Sequence, residues 1–239
     1  MYKSRTYRRW VRSDGLVSFE VIEKETDLAI SAAKNLEKHA RSSILTYRHD
    51  LEEYIKNNSS FYSSLEPVEV EKDAPRIVEV MARAGKKALV GPMAAVAGAI
   101  AEFVGRDLLS FSDEIIVENG GDIFLRTRKN RTMGIYAGED SPFTGKIVLE
   151  IAPRENGLGV CTSSGTVSHS LSFGKSDAVV IISEDTALAD AVATATGNVL
   201  KSPDDVKRAV EFARSIDGIL GVLVIIKDKM GSWGDIKLL

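Results

Sequence analysis

The chain contains one cysteine, Cys161, among 239 residues. No intrachain disulfide is therefore available, and the sequence fits a reducing compartment. Long hydrophobic runs are also missing. The most apolar stretch, Ala88 to Val104, is interrupted by Gly91, Pro92 and Glu102 and consists mainly of small residues, which argues against a transmembrane helix. Met1 to Trp10 carries charges without an apolar core and does not read as a signal peptide. A soluble, cytoplasmic protein with no membrane partner is expected. There is no excess of positive charge: the formal net charge is −3, so no global field favours nucleic acid. The basic cluster Lys3, Arg5, Arg8, Arg9 and Arg12 reads as the solvated face of an edge strand. No linker, low-complexity tract or charge run divides the chain. With 44% apolar and 27% charged residues, an ordinary globular balance, the chain suits one large domain over 1–239 or two intimately packed halves, roughly 1–110 and 111–239.

Hydrophobic periodicity predicts an α+β chain. Strands are expected at 5–12 and 16–22, joined by the turn Ser13-Asp14-Gly15. Apolar residues near helical spacing, from Ile30 to Ile55, predict a helix over 30–57. Within it, His39 and His49 read as ordinary packing or surface residues. Residues 61–74 read as irregular. Pro75 opens a helix to about Lys86, 87–90 read as a short strand, and Gly91-Pro92 begins a second helix to about Gly105. Strands follow near 114–118, 122–127, 132–137 and 145–151. A polar connection over 157–174 has a short strand at 159–162, and Ala178 to Ile182 is a buried strand. Helices are expected over Thr186 to Leu200 and from Ser202-Pro203 to about Ser215, with closing strands at 218–227 and 234–238. Ala94 to Val104 and Ala187 to Leu200 are both alanine-rich, a faint internal echo.

Four segments could carry chemistry. Glu118-Asn119-Gly120-Gly121-Asp122 places two acids and an amide around paired glycines that let a ligand approach the backbone, although such a sequence also makes a plain hairpin turn. Cys161 to Ser172 is rich in hydroxyls. Thr162, Ser163, Ser164 and Gly165 suit phosphate oxygens, and His169 suits proton transfer or phosphate binding. A serine nucleophile activated by His169 is a further reading, as is a polar surface loop. Cys161 reads as a small buried residue rather than a nucleophile. Asp190 and Thr194 stand at i and i+4 of a predicted helix, so their oxygens share a face suited to Mg²⁺, unless Asp190 is a cap or is solvated and Thr194 bonds back into its own helix. In the fourth segment, Gly91 to Glu102, small side chains permit close packing against a ligand or another helix. Gly98 and Glu102 share a face there, and Glu102 is a candidate for the same pocket.

Taken in order, these segments resemble the ApbE superfamily, the FAD:protein FMN transferases, and more closely a shorter ApbE-related family, across nearly the whole chain. The resemblance is carried by Lys24 to Leu28, Val90 to Gly98, Glu118 to Asp122, Cys161 to Lys175 and Ala189 to Asn198. It implies an α+β fold with a duplicated, T-fold-like architecture and mixed or antiparallel sheets with packed helices. It also implies an FAD or FMN site lined by Gly98, Asn119, Gly120, Gly121, Thr162, Ser163, Ser164 and Gly165. Mg²⁺ would be held by Asp190 and Thr194, with His169, Asp122 and Glu102 as candidate catalytic residues. In that chemistry a pyrophosphate is cleaved and FMN moves to a threonine hydroxyl of a partner protein. Several positions depart from the ApbE pattern. Ala97-Gly98 stands in place of Lys-Gly, Glu102 in place of an aspartate, and Ser168 precedes the histidine where the shorter family usually has glycine. The expected partners are a small phosphate-bearing ligand and a protein acceptor, and a homo-oligomer is compatible with the sequence. Two other functions remain open: a non-catalytic ligand-binding or assembly protein on this scaffold, and a serine/histidine hydrolase.

Overall fold

Ten strands and six α-helices alternate in two similar passages, as seen in a computed structural model that describes residues 13–138, 141–164 and 176–239. The first passage is β1 (Val17–Glu23), β2 (Thr26–Ala32), then α1 (Glu37–Asn57), α2 (Ser59–Ser63), α3 (Arg76–Ala88) and α4 (Val96–Leu108), then β3 (Ile115–Asn119) and β4 (Asp122–Arg126). A small hairpin of β5 (Arg131–Gly134) and β6 (Val148–Ile151) intervenes. The second passage is β7 (Leu158–Ser163), β8 (Ala178–Ser183), α5 (Thr186–Val199), α6 (Val206–Arg214), β9 (Ile219–Ile226) and β10 (Lys229–Gly234). Each passage is thus two strands, helices, two strands. Together they form one eight-stranded sheet in the order β1-β2-β3-β4-β7-β8-β9-β10, antiparallel at every step.

Alternation along the strands divides the sheet into two faces. Val117, Phe124, Cys161, Val179, Ile181, Val222 and Val224 face the helices and form one core with them. Ile116, Ile123, Leu125, Val160, Val180, Ile182 and Leu223 face the other way and pack on Met133, Leu149 and Ile151 of the β5–β6 hairpin. The result is three layers: helices, main sheet, small hairpin.

Small residues in α4 set the helix layer close to the sheet and to α5. A Cβ on Gly105 would stand 2.3 Å from the ring of fully buried Phe124, and one on Gly98 would stand 2.5 Å from the Thr186 carbonyl oxygen. The glycines are therefore used for packing at these two points. Among the described residues no single helix is long and apolar enough to cross a membrane, and α3 and the helical segment Pro92–Leu108 are bent 104° from one another.

Four expectations need correction. Residues 30–36 are not helical: Leu28, Ile30 and Ala32 alternate inward in β2, which is paired on both sides, and α1 begins at Glu37. Residues 87–90 form no strand: α3 runs to Ala88, and Leu89 ends it in the left-handed region at φ 60°. The irregular stretch 61–74 begins with the end of α2, a short helix over Ser59–Ser63. The last strand is Lys229–Gly234 rather than 234–238, because the turn follows Ile226 directly. The C-terminal segment instead runs beside β6 with a bridge between Leu149 and Leu238. The expected strand at 5–12 and the basic cluster lie outside the described residues. His39 packs on Phe111, ring centroids 4.1 Å apart.

Candidate functional site

The β3–β4 connection is a two-residue hairpin turn. Gly120 and Gly121 both take positive φ, 69° and 108°, as the tight hairpin demands. Glu118 closes it, its Oε1 accepting from the Gly121 amide at 2.8 Å. Asn119 turns to the helix side and donates its Nδ2 to the Ala97 carbonyl at 3.1 Å, which ties the hairpin tip to α4. Gly120 has open space on its Cβ side, while Gly121 faces the Thr162 carbonyl of β7 at 3.4 Å.

One strand further on, Asp122 pairs in register with Cys161. Both side chains are buried on the helix side. Burial, then the charge of Asp190, pushes the Asp122 carboxyl well above the usual carboxylate range; hydrogen bonds from the Cys161 thiol and the Thr162 backbone oppose this in part. The thiol is pushed up too, by burial first and then by the charges of Asp122 and Asp190. It also donates to the Thr186 carbonyl, at 3.4 Å.

Asp190 comes from α5 and meets the start of α4. Its Oδ2 accepts from the Gly98 amide at 2.8 Å, and Ala97 supplies a second backbone bond. Helix α4 has no side-chain cap of its own, so a carboxylate from another helix answers its free N–H groups and its dipole. Burial lifts the Asp190 pKa to about 7 against those bonds. Burial thus favours the protonated form of both acids relative to an exposed carboxylate.

Glu102 stands apart from this acid pair. Its Oε2 accepts from the Thr186 amide at 2.7 Å, and Arg106 grips its Oε1 at 2.7 Å. Gly98 has no room for a ligand on its Cβ side, because α5 fills that space. Thr194 lies one turn beyond Asp190 and is half-buried. Thr162 is half-buried, while Ser163 and Ser164 are buried; the Ser163 Oγ has no hydrogen-bond partner among the described residues. Gly165 and His169 lie outside the described residues. The structure thus gathers Asp122, Asn119, Cys161 and Asp190, with the backbone of Gly121 and Thr162, at one corner where α4, α5, β4 and β7 meet; the Thr162 side chain lies on the opposite, hairpin-facing side of the sheet. Sequence reasoning missed the thiol contact of Cys161 with Asp122 and the part played by Thr186. The inward phase of Cys161 on a buried strand was the available signal for the first. Thr186 acts through its backbone amide and carbonyl, which the sequence does not single out.

Two solved structures share this architecture. The apo flavinyl transferase ApbE of Pseudomonas stutzeri matches with TM-score 0.53 and 13% identity, over 92% of this chain and 94% of its own. The ApbE protein of Thermotoga maritima matches with TM-score 0.55 and 14% identity, over 93% and 96%. At such identities the likeness concerns the fold, which is ApbE-type. A family model described as "AbpE bacteria" matches residues 8–230, and the chain belongs to this ApbE-related family. Its relatives include the UPF0280 protein MJ1526 of Methanocaldococcus jannaschii, 46% identical over 90% of both chains. Another is the UPF0280 protein MK0206 of Methanopyrus kandleri, 40% identical over 92% of this chain and 91% of that one.

Proposed function

We propose that the protein binds a phosphate-bearing ligand of the flavin-nucleotide class, FAD or FMN, together with Mg²⁺, at the corner of Asp122 and Asp190, and that it transfers an FMN or phosphoryl group. The supporting observation is the pair of buried acids. Each is taken out of water, Asp122 also feels the charge of Asp190, and no lysine or arginine among the described residues pairs with either. A divalent cation would relieve that cost. The donor set is hard oxygen, from the Asp190 carboxylate and the Thr194 hydroxyl. Among the described residues no three His, Cys, Asp or Glu side chains converge as ligands. That arrangement fits an ion that keeps several waters and takes phosphate oxygens, as Mg²⁺ does, better than one that needs a full protein cage.

Bound there, Mg²⁺ would supply charge neutralisation on the phosphate oxygens. The chain's own groups divide the remaining work. The Gly120-Gly121 turn lets a ligand come close to backbone. Ser163, Ser164 and Gly165 offer hydroxyls and amides to phosphate and Thr162 its backbone, and the buried Ser163 hydroxyl has no hydrogen-bond partner among the described residues. Asp122 orients the ligand or a water. His169 carries a proton to or from the reacting oxygen. The name of the Pseudomonas stutzeri neighbour, a flavinyl transferase, supports flavinyl transfer as the activity; the acceptor that the ApbE resemblance of the sequence implies is a protein hydroxyl.

One observation favours a second reading, a non-catalytic ligand-binding or assembly protein: the Asp190 carboxylate already serves as the cap of α4. Thermal unfolding separates the two. Saturating FAD with Mg²⁺ stabilises the native state by about 2.7 kcal/mol at a hundredfold excess over Kd. In the first reading Asp190→Ala abolishes the metal-dependent part of that shift; in the second the shift is independent of metal. The absence of any shift with flavin or adenine nucleotides, with or without Mg²⁺, refutes the first reading and the ligand-binding form of the second.

A further inference from the structure

The two acids on the α4–α5 contact form a reciprocal arrangement. Asp190 of α5 accepts from the Gly98 amide in the first turn of α4. Glu102 of α4, four residues after Gly98, accepts from the Thr186 amide at the first residue of α5, four residues before Asp190. Each helix thus carries the acid that satisfies the other's N-terminus. The Ala95 position before α4 offers no side-chain cap, and Asp185 before α5 takes the Leu188 amide, so the Thr186 donor depends on Glu102.

Both oxygens of Glu102 are engaged, Oε2 with the Thr186 amide and Oε1 with the Arg106 guanidinium, and its side chain is 12% exposed. Arg106 is itself fixed. Its guanidinium lies 5.3 Å from the Phe124 ring centroid and donates to the Asn156 carbonyl at 3.3 Å. Such a carboxylate is poorly placed to touch a substrate and well placed to hold a helix. We infer that Glu102 is a positioning residue, not a catalytic one: it clamps the first turn of α5 and thereby sets the Asp190 carboxylate against α4. The inference rests on the proposed role of Asp190 for its functional meaning, and on the helix contact alone for its mechanics.

The test is amide hydrogen exchange on the full chain, read residue by residue by NMR. Glu102→Ala removes the bond to Thr186, and Thr186 exchange rises in any case. If Glu102 positions Asp190, the Gly98 amide also exchanges about tenfold faster, and Glu102→Gln, which keeps an acceptor oxygen, restores it to within about threefold of wild type. An unchanged Gly98 amide beside a faster Thr186 overturns the inference. Should Glu102→Ala not fold, Arg106→Ala carries the same readout: about threefold faster exchange at Gly98 supports the coupling and no change refutes it. A parallel titration with FAD and Mg²⁺ keeps the two ideas separate. Wild-type protein that takes up no flavin removes the proposed function, while the Gly98 result still decides whether Glu102 positions Asp190.

Discussion

Gly98→Ala perturbs the contact on which the site geometry depends. The added methyl would stand 2.5 Å from the Thr186 carbonyl oxygen and 2.8 Å from the Asp190 Cβ. Reaching ordinary contact requires α4 and α5 to move apart by roughly 0.6–0.9 Å. Overpacking of this kind costs about 1–3 kcal/mol, and alanine recovers about 1 kcal/mol through its helix propensity. Separation also stretches the charged hydrogen bond from the Gly98 amide to Asp190, 2.8 Å in the native structure. Loss of that bond adds about 1.5–3 kcal/mol. The net is about 1.5–5 kcal/mol, or a fall in Tm of roughly 3–20 °C for a chain of this size. Differential scanning calorimetry measures it directly, with Ala99→Ser, elsewhere on the same helix, as a comparison. A Tm within about 1 °C of wild type, or above it, would refute the close-packing argument, since only the propensity gain would then remain.

Stability also depends on pH through the buried acids. Burial lifts Asp190 to about 7 in the folded chain against 3.8 as its ordinary value, and Asp122 is raised well above the usual carboxylate range as well. The native state therefore binds more protons than the unfolded state between these limits, so this contribution is present below pH 3.8 and is lost as pH rises through 7. Urea unfolding across that window should show stability falling with pH, and Asp122→Asn should flatten the slope. A slope of opposite sign that vanishes in the variant would contradict the assignment. The Cys161 thiol, fully buried and shifted upward, should react with a chromogenic disulfide reagent at pH 8 only as fast as the protein unfolds. Rapid stoichiometric reaction of native protein would show that the corner is open.

Much of the fold was legible because its buried elements obey one period each. Ala178 to Ile182 is an unbroken apolar run and forms a central strand; α3, α4 and α5 carry the small and apolar residues of packed helices. β2 was hidden because Ile30, Ala33 and Leu36 also satisfy helical spacing, and only pairing on both edges decides for the strand. β10 was displaced because Lys229–Gly234 is an exposed edge with no inward alternation to find. At the site, the order of the motifs was legible, and so was the presence of acids. The use of those acids was not: Asp190 and Glu102 engage backbone amides of Gly98 and Thr186, and every residue except proline carries such an amide.

Calorimetric titration of FAD into the protein, with Mg²⁺ and again with EDTA, tests the central claim most directly. Saturable binding should appear with Mg²⁺, weaken by at least about tenfold in EDTA, and weaken equally in Asp190→Ala. Binding that is indifferent to both metal and Asp190, or no saturable binding of any flavin nucleotide, would contradict it.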